Sequence, residues 1–328
     1  MSRAKSSLTS LIILLVFAVV AGALYFNRQW VVDELSIWQF KPSSEVTALA
    51  EGSSLNDNGK FIYYASQPSI ESTQHFNDVC GTTEQSTAIL GCYSAQRIYV
   101  YNVTDVRLDG IKEVTAAHEM LHAAYQRLSD ADRKNVDSLL DVEYNKLKDD
   151  AKFAERIAFY ARSEPGERDN ELHSIIGTEV DSVSPALESY YSRYFTDRKV
   201  VLGHYSKYST VFKEIEDKSN ALSASLTTLG SKIEKNTAQY NSDVKSLNQD
   251  ILDFNTRANN GSFSSQSEFA SERAALSART SALDVKRAQI AADLVTYDAQ
   301  RKELQAISSE SAALNRSIDS KLAPAPSL

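Results

Sequence analysis

The stretch Thr115-Ala116-Ala117-His118-Glu119-Met120-Leu121-His122-Ala123-Ala124-Tyr125 decides how this chain is read. It lies in a run from Ile111 to about Leu128 whose apolar residues, Val114, Met120, Leu121 and Tyr125 among them, recur at helical spacing. Residues four apart share one face of a helix, so His118 and His122 present both imidazoles to one ion. Zinc accepts two neutral imidazoles plus a carboxylate and leaves a fourth position for water. Glu119 points aside from the ligand pair, where it can hold that water and take its proton. The bland alternative is an ordinary helix with two hydrogen-bonded histidines. Against it stand the small flanks Ala116, Ala117, Ala123 and Ala124, which leave room for ligands. The chain has only five histidines, too few for composition alone to produce the pattern easily.

Outward from this helix the chain falls into zones. Residues 1–28 read as an N-terminal segment, 29–200 as a compact α+β domain, 201–322 as a helical hairpin and 323–328 as a disordered tail. In the domain, Glu45 to Glu51 is helical, and the turn Asn56-Asp57-Asn58-Gly59 precedes a strand at Phe61 to Tyr64. Ala88 to Tyr93 and Arg97 to Val103 are further strands, rich in β-branched and aromatic residues. Helices follow around 129–150, 152–162 and Asp169 to Ile176, the last ending at Gly177 as a breaker. Ser184 and Pro185 open another helix.

TAAHEMLHAAY resembles the active-site helix of the HExxH zinc metallopeptidases, the zincins. The metzincin continuation is missing, because its glycine position is Tyr125 and its third histidine position is Leu128. Gluzincins take the third ligand from a glutamate on a later helix, and Asn170-Glu171-Leu172-His173-Ser174 is similar to that element, 49 residues beyond His122. The resemblance implies a mainly helical zincin-like domain with a small sheet, in which His118, His122 and Glu171 hold Zn2+. It further implies Glu119 as general base in hydrolysis of a peptide or protein substrate. Glu179 is the alternative third ligand. Many relatives carry an acid four residues after the ligand glutamate to orient a histidine; here that position is Ile175, so the role is expected of Glu179 or Asp181. Tyr190, Tyr191, Tyr194 and His204 are candidates to stabilise the oxyanion, with core packing as the tyrosines' other reading. In zincins a strand just before the helix lines the cleft and pairs with extended peptide; the strand at Ile98 to Val103 is either that strand or an ordinary internal one.

The last third of the chain differs in kind. Phe212, Ile215, Leu222, Leu226, Leu229, Ile233, Tyr240, Val244, Leu247, Ile251 and Phe254 recur at threes and fours. Past Asn259-Asn260-Gly261-Ser262, Phe269, Leu276, Leu283, Ile290, Tyr297 and Leu304 recur every seventh position. Two arms of similar length around a polar turn predict an antiparallel coiled coil. Ser219, Arg273, Thr280, Arg287 and Arg301 interrupt the seam, which leaves association with a coiled-coil partner or a second copy open.

The compartment is read from the N-terminus. Arg3 and Lys5 precede the uncharged run Leu11 to Phe26, which extends back to Leu8 toward the ~20 residues a membrane-spanning helix needs. Positive charge before it predicts a single-pass membrane protein with a cytoplasmic N-terminus and the bulk outside. Ala21-Gly22-Ala23 offers the alternative of a cleaved signal and secretion. Cys80 and Cys92, an even pair, are expected to form a disulfide in an oxidising compartment. The net charge of −8 argues against nucleic acid as a partner. Two further readings stand beside the peptidase: an envelope coiled-coil scaffold with an inactive zincin domain, and a hydrolase of cell-wall peptide.

Overall fold

The computed structural model describes residues 14–321 apart from 18, 20, 23, 25, 26, 81–89, 164 and 165. The described chain is mostly helix, with one three-stranded sheet and two long C-terminal helices. It divides into two compact units, one of Met1–Val211 with Leu314–Leu328 and one of Phe212–Ala313.

In the first unit, α1 (Arg28–Gln39), α2 (Ser44–Gly52) and α3 (Asp57–Ala65) lead into β1 (Ser69–Glu71) and α4 (Thr73–Cys80). The expected strand at Phe61 to Tyr64 is therefore a helix. Asn56, taken as part of a turn, caps α3 by accepting a bond from the Gly59 amide, and such a cap satisfies an otherwise unpaired first-turn donor. Ile62, Tyr63 and Ala65 are then buried together, a helical rather than alternating pattern.

The strands β2 (Gly91–Ser94) and β3 (Arg97–Tyr101) form an antiparallel hairpin with Cys92 opposite Tyr99, while β1 runs parallel to β3 with Ser69 opposite Tyr99. The β3 strand is thus central and both its edges are taken. Ala95 and Gln96 turn the hairpin with positive φ at both residues, 49° and 63°, as a tight two-residue turn between twisted strands requires. Of the strand expected from residue 88, residues 88 and 89 lie outside the described residues. Cys80, ending α4, is bonded to Cys92 of β2. Closing so short a loop contributes about 2–3 kcal/mol in the chain-entropy account.

The helices that follow are α5 (Ile111–Gln126), α6 (Asp130–Leu147), α7 (Ala151–Ser163), α8 (Arg168–Glu179) and α9 (Pro185–Tyr191). Ser129 and Ser184 cap α6 and α9 through their hydroxyls. The core lies where α5 and α8 meet, around Ala117, Met120, Leu121, Leu172, Ile176 and Tyr191, all at most 1% exposed. Gly177 does not stop α8, which continues to Glu179. A Cβ on Gly177 would lie 2.4 Å from Leu121 Cδ1 and 2.8 Å from the Tyr191 ring, so the glycine permits close helix packing rather than ending the helix.

The hairpin arms are α10 (Arg198–Asn260) and α11 (Gln266–Ile318), 63 and 53 residues, or about 95 and 80 Å at 1.5 Å per residue. Cross-arm pairs Ser225–Gln300, Lys232–Asp293, Asp243–Lys286, Asp250–Arg279 and Arg257–Glu272 rise along one arm as they fall along the other. The arms are therefore antiparallel. The heptad residues from Phe269 to Leu304 are all half-buried while most of their neighbours are exposed. Phe254, Phe263 and Phe269 cluster near the turn with ring centroids 5.1–5.2 Å apart. The tail expected at 323–328 lies outside the described residues.

The expected topology is also overturned. Among the described residues no helix is long and apolar enough to cross a membrane, so the single-pass topology is set aside. Of the run from Leu8 to Phe26, residues 8–13, 18, 20, 23, 25 and 26 lie outside those described. The helix beyond it, α1, carries Arg28, Asp33 and Glu34, and Asp33 is buried against Arg127 of the domain.

Candidate metal centre

Two helices build the site. From α5 come His118 and His122, one turn apart, and from α8 comes Glu171 in the first turn. The Nε2 atoms of the histidines are 3.0 Å apart. Glu171 Oε1 lies 3.4 Å from His122 Nε2, and its Oε2 lies 3.9 Å from His118 Nε2. All three ligand atoms fall within 4.8 Å of one another. A tetrahedral ion bound at about 2.0–2.1 Å separates its ligand atoms by roughly 3.3 Å, close to the 3.0 Å between the two imidazole nitrogens and the 3.4 Å from His122 to Glu171 Oε1. This donor set, two imidazole nitrogens and one carboxylate, fits a metal ion.

Burial increases from one ligand to the next. The side chains of His118, His122 and Glu171 are 17%, 10% and 6% exposed, so the site opens on the His118 side. Burial holds the His118 imidazole well below the ordinary histidine range, and His122, Arg156 and His173 act in the same direction. His118 is therefore a neutral nitrogen donor at physiological pH, the form that binds metal.

Glu119 is buried at 5% exposure and lies under β2. A Cβ added to Gly91 would come within 2.7 Å of Glu119 Oε1 and 2.6 Å of Thr115 Cγ2. Only a glycine lets the strand backbone approach the acid so closely. The strand against Glu119 is therefore β2; of the two readings left open for Ile98 to Val103 the internal strand fits, since β3 is central, and among the described residues β2 pairs with β3 alone.

Glu179 is not brought to the metal group. It forms an ion pair with Arg156 at 2.6 Å. His122 faces neither Glu179 nor Asp181 in the bonds it makes: its Nδ1 is 3.0 Å from Asn170 Oδ1, and the Asn170 amide donates to Glu167 Oε2 at 2.9 Å. Ile175, where an acid was looked for, is a core residue.

The tyrosines considered for the oxyanion have hydroxyl partners in the core. Tyr190 and Tyr194 share a hydroxyl contact at 3.2 Å, Tyr190 hydrogen-bonds His173 Nε2 at 3.0 Å, and Tyr191 donates to the His173 carbonyl at 2.7 Å. His173 is fully buried among these rings, and burial followed by the influence of His122 pushes it down to about 3. It is a core histidine. His204 packs against Gly110. Two residues of α7 that the sequence did not single out lie within electrostatic reach of the site. Arg156 influences His118, and Tyr160 is pushed up first by burial and then by the charge of Glu171, with Glu119 adding to it. The only signal for them was their place on an amphipathic helix, which does not distinguish site residues from core. No protein-family model, curated protein or solved structure matches this chain.

Proposed function

We propose that the chain is a zinc-dependent peptidase of gluzincin type, with His118, His122 and Glu171 as ligands and Glu119 as general base. The observation that carries this reading is the convergence of the three ligand atoms from two helices, with a second acidic residue, Glu119, next to the first ligand. Zinc, when bound, lowers the pKa of its water toward about 7 and polarises a carbonyl oxygen.

The rest of the chemistry belongs to this chain. Glu119, one residue from His118 and buried under Gly91, accepts the proton from the attacking water and returns it to the leaving amine. The backbone of β2 borders the acid, so an extended peptide lying along that strand is held by main-chain hydrogen bonds. Such recognition does not depend on substrate sequence, which suits a peptidase whose pockets select only alternate side chains. A zincin-like ancestry for the domain belongs to the same proposal and rests on HExxH together with Glu171.

The test is cleavage of a fluorogenic peptide library by the wild-type protein with and without a zinc chelator. Cleavage is expected to stop on chelation and return with zinc. Glu119→Gln is expected to keep the metal and lose about 10²–10⁴-fold in rate, the usual contribution of a positioned base. A Glu119→Gln protein with undiminished activity sinks the mechanism. The long hairpin favours a second reading, a coiled-coil scaffold whose metal group is inactive. Under that reading, removal of the hairpin abolishes function while His118→Ala leaves it intact.

A further inference from the structure

We infer that Asn170 and Glu167 are positioning residues that fix the proton of His122 on Nδ1, leaving Nε2 free for a metal; this rests on the metal-binding reading above. The hydrogen bonds run from the surface inward. Glu167 is exposed and precedes α8 as its N-cap residue, yet its side chain caps no helix amide. Its Oε2 instead accepts a bond from Asn170 Nδ2 at 2.9 Å. A carboxylate only accepts, so the –NH2 of the Asn170 amide must face Glu167, and its carbonyl must face His122. Asn170 Oδ1 lies 3.0 Å from His122 Nδ1. That oxygen also only accepts, so the ring nitrogen donates, and in the neutral imidazole the lone pair resides on Nε2. Nε2 is the atom that lies 3.4 Å from Glu171 Oε1 and 3.0 Å from His118 Nε2.

The opposite arrangement explains why two residues are needed. With the amide turned over, its –NH2 would face His122 Nδ1 and force the proton onto Nε2, blocking the ligand position. Its carbonyl would then oppose the Glu167 carboxylate. Glu167 forbids that flip and Asn170 transmits the choice. Asn170 is 6% exposed, so little water competes for either bond. The acid absent at Ile175 is thus replaced by an amide one residue before Glu171, on the same helix that supplies the third ligand.

The experiment uses the full chain in two states. In metal-free protein at neutral pH, a long-range proton–nitrogen correlation spectrum reads the His122 tautomer. The wild type is expected to carry the proton on Nδ1, and Asn170→Ala is expected to lose that preference. Zinc affinity, measured by chelator competition, is expected to fall about 10–100-fold in Asn170→Ala, the usual effect of removing a partner of a ligand histidine. Asn170→Asp keeps an acceptor at the same place and is expected to rescue both readouts. Glu167→Ala, at an exposed position that tolerates truncation, is expected to weaken binding severalfold through a freely turning amide. It decides the question even if Asn170→Ala does not fold. A wild-type His122 protonated on Nε2, or Asn170→Ala and Glu167→Ala proteins that bind zinc as the wild type does, overturn the relay alone. A wild type with the Nδ1 proton that binds neither zinc nor cobalt overturns the metal reading instead, and the relay's purpose with it.

Discussion

The site-bearing unit and the hairpin are both built mainly of helix, yet they treat charge in opposite ways. In the first unit Asp33, Glu119, Glu171 and Arg198 are each at most 5% exposed. In the hairpin most of the cross-arm ion pairs run along the outside, as Arg279 and Asp250 do at 44% and 45% exposed, and among the described residues Asp293, held by Lys232, is the buried exception. A buried charge persists only where partners replace its water, and the first unit supplies them at the ends of the two ligand-bearing helices. Arg127, just past α5, donates to the Ala123 carbonyl, to Tyr93 and twice to Asp33. Arg198 donates to the carbonyls of Val180 and Asp181, beyond the end of α8, and to Glu188. In each case a cation meets the negative end of a helix, where its charge is favoured. The lesson is positional: two buried arginines fix the far ends of the helices whose inner turns hold the metal group.

The largest expected stability effect follows from this. Asp33→Ala leaves the Arg127 guanidinium, 10% exposed, without its bidentate partner. Breaking a buried pair in this way costs about 3–5 kcal/mol, measured as a fall in the urea midpoint followed by near-ultraviolet circular dichroism of the tyrosine-rich core. A loss under about 1 kcal/mol, the range of exposed pairs, would erase the distinction drawn between the two units.

A smaller effect is expected from Gly177→Ala. Alanine is favoured over glycine inside a helix by about 1 kcal/mol. Here, however, the added methyl meets Leu121 and Tyr191 at 2.4–2.8 Å, and overpacking of this kind costs about 1–3 kcal/mol. A net destabilisation of about 1 kcal/mol is expected from the same melt. Because Leu121 adjoins His122, zinc affinity should weaken alongside. A stabilised variant would mean that α8 has slack against α5 and that the ligand spacing is not set by their contact.

The hairpin was legible in the sequence because its determinants are local and repeated: one apolar residue every seven specifies both helix and seam. Ser129 and Ser184 were of the same kind, as were His118 and His122, whose relation is fixed by helix geometry alone. Glu171 was reached only through the resemblance, since nothing within 49 residues of chain links it to His122 by pattern. What escaped depended on contacts between distant segments. Phe61 to Tyr64 has strand composition, but the Asn56 cap and burial of Ile62 and Tyr63 together make it helix. Gly177 looks like a stop because its neighbour across the helix interface is invisible in sequence. Ala95-Gln96 turns the β hairpin without the Asn or Gly such turns prefer. Asn170 carries no signal in the sequence, because the direction of its amide depends on the Glu167 carboxylate beside it in the fold.

The smallest expected effect tests the other half of the comparison. Arg279→Met on α11 removes the charge that faces Asp250 of α10 and keeps an apolar stem along the helix. An exposed pair gains little Coulomb energy in high dielectric and loses side-chain freedom, so the change is expected to be ~0–1 kcal/mol. Asp250→Ala should show the same, and the double variant should equal their sum to within the small coupling of an exposed pair. Whatever coupling remains should shrink between 0.05 and 1 M salt, as the screening length falls to about 3 Å. A large coupling that survives high salt would mean that the pair is shielded from water in solution. Since half of each side chain is open in the chain by itself, the shield would have to come from another molecule lying on that flank, and sedimentation of the same variants would then detect a lost association.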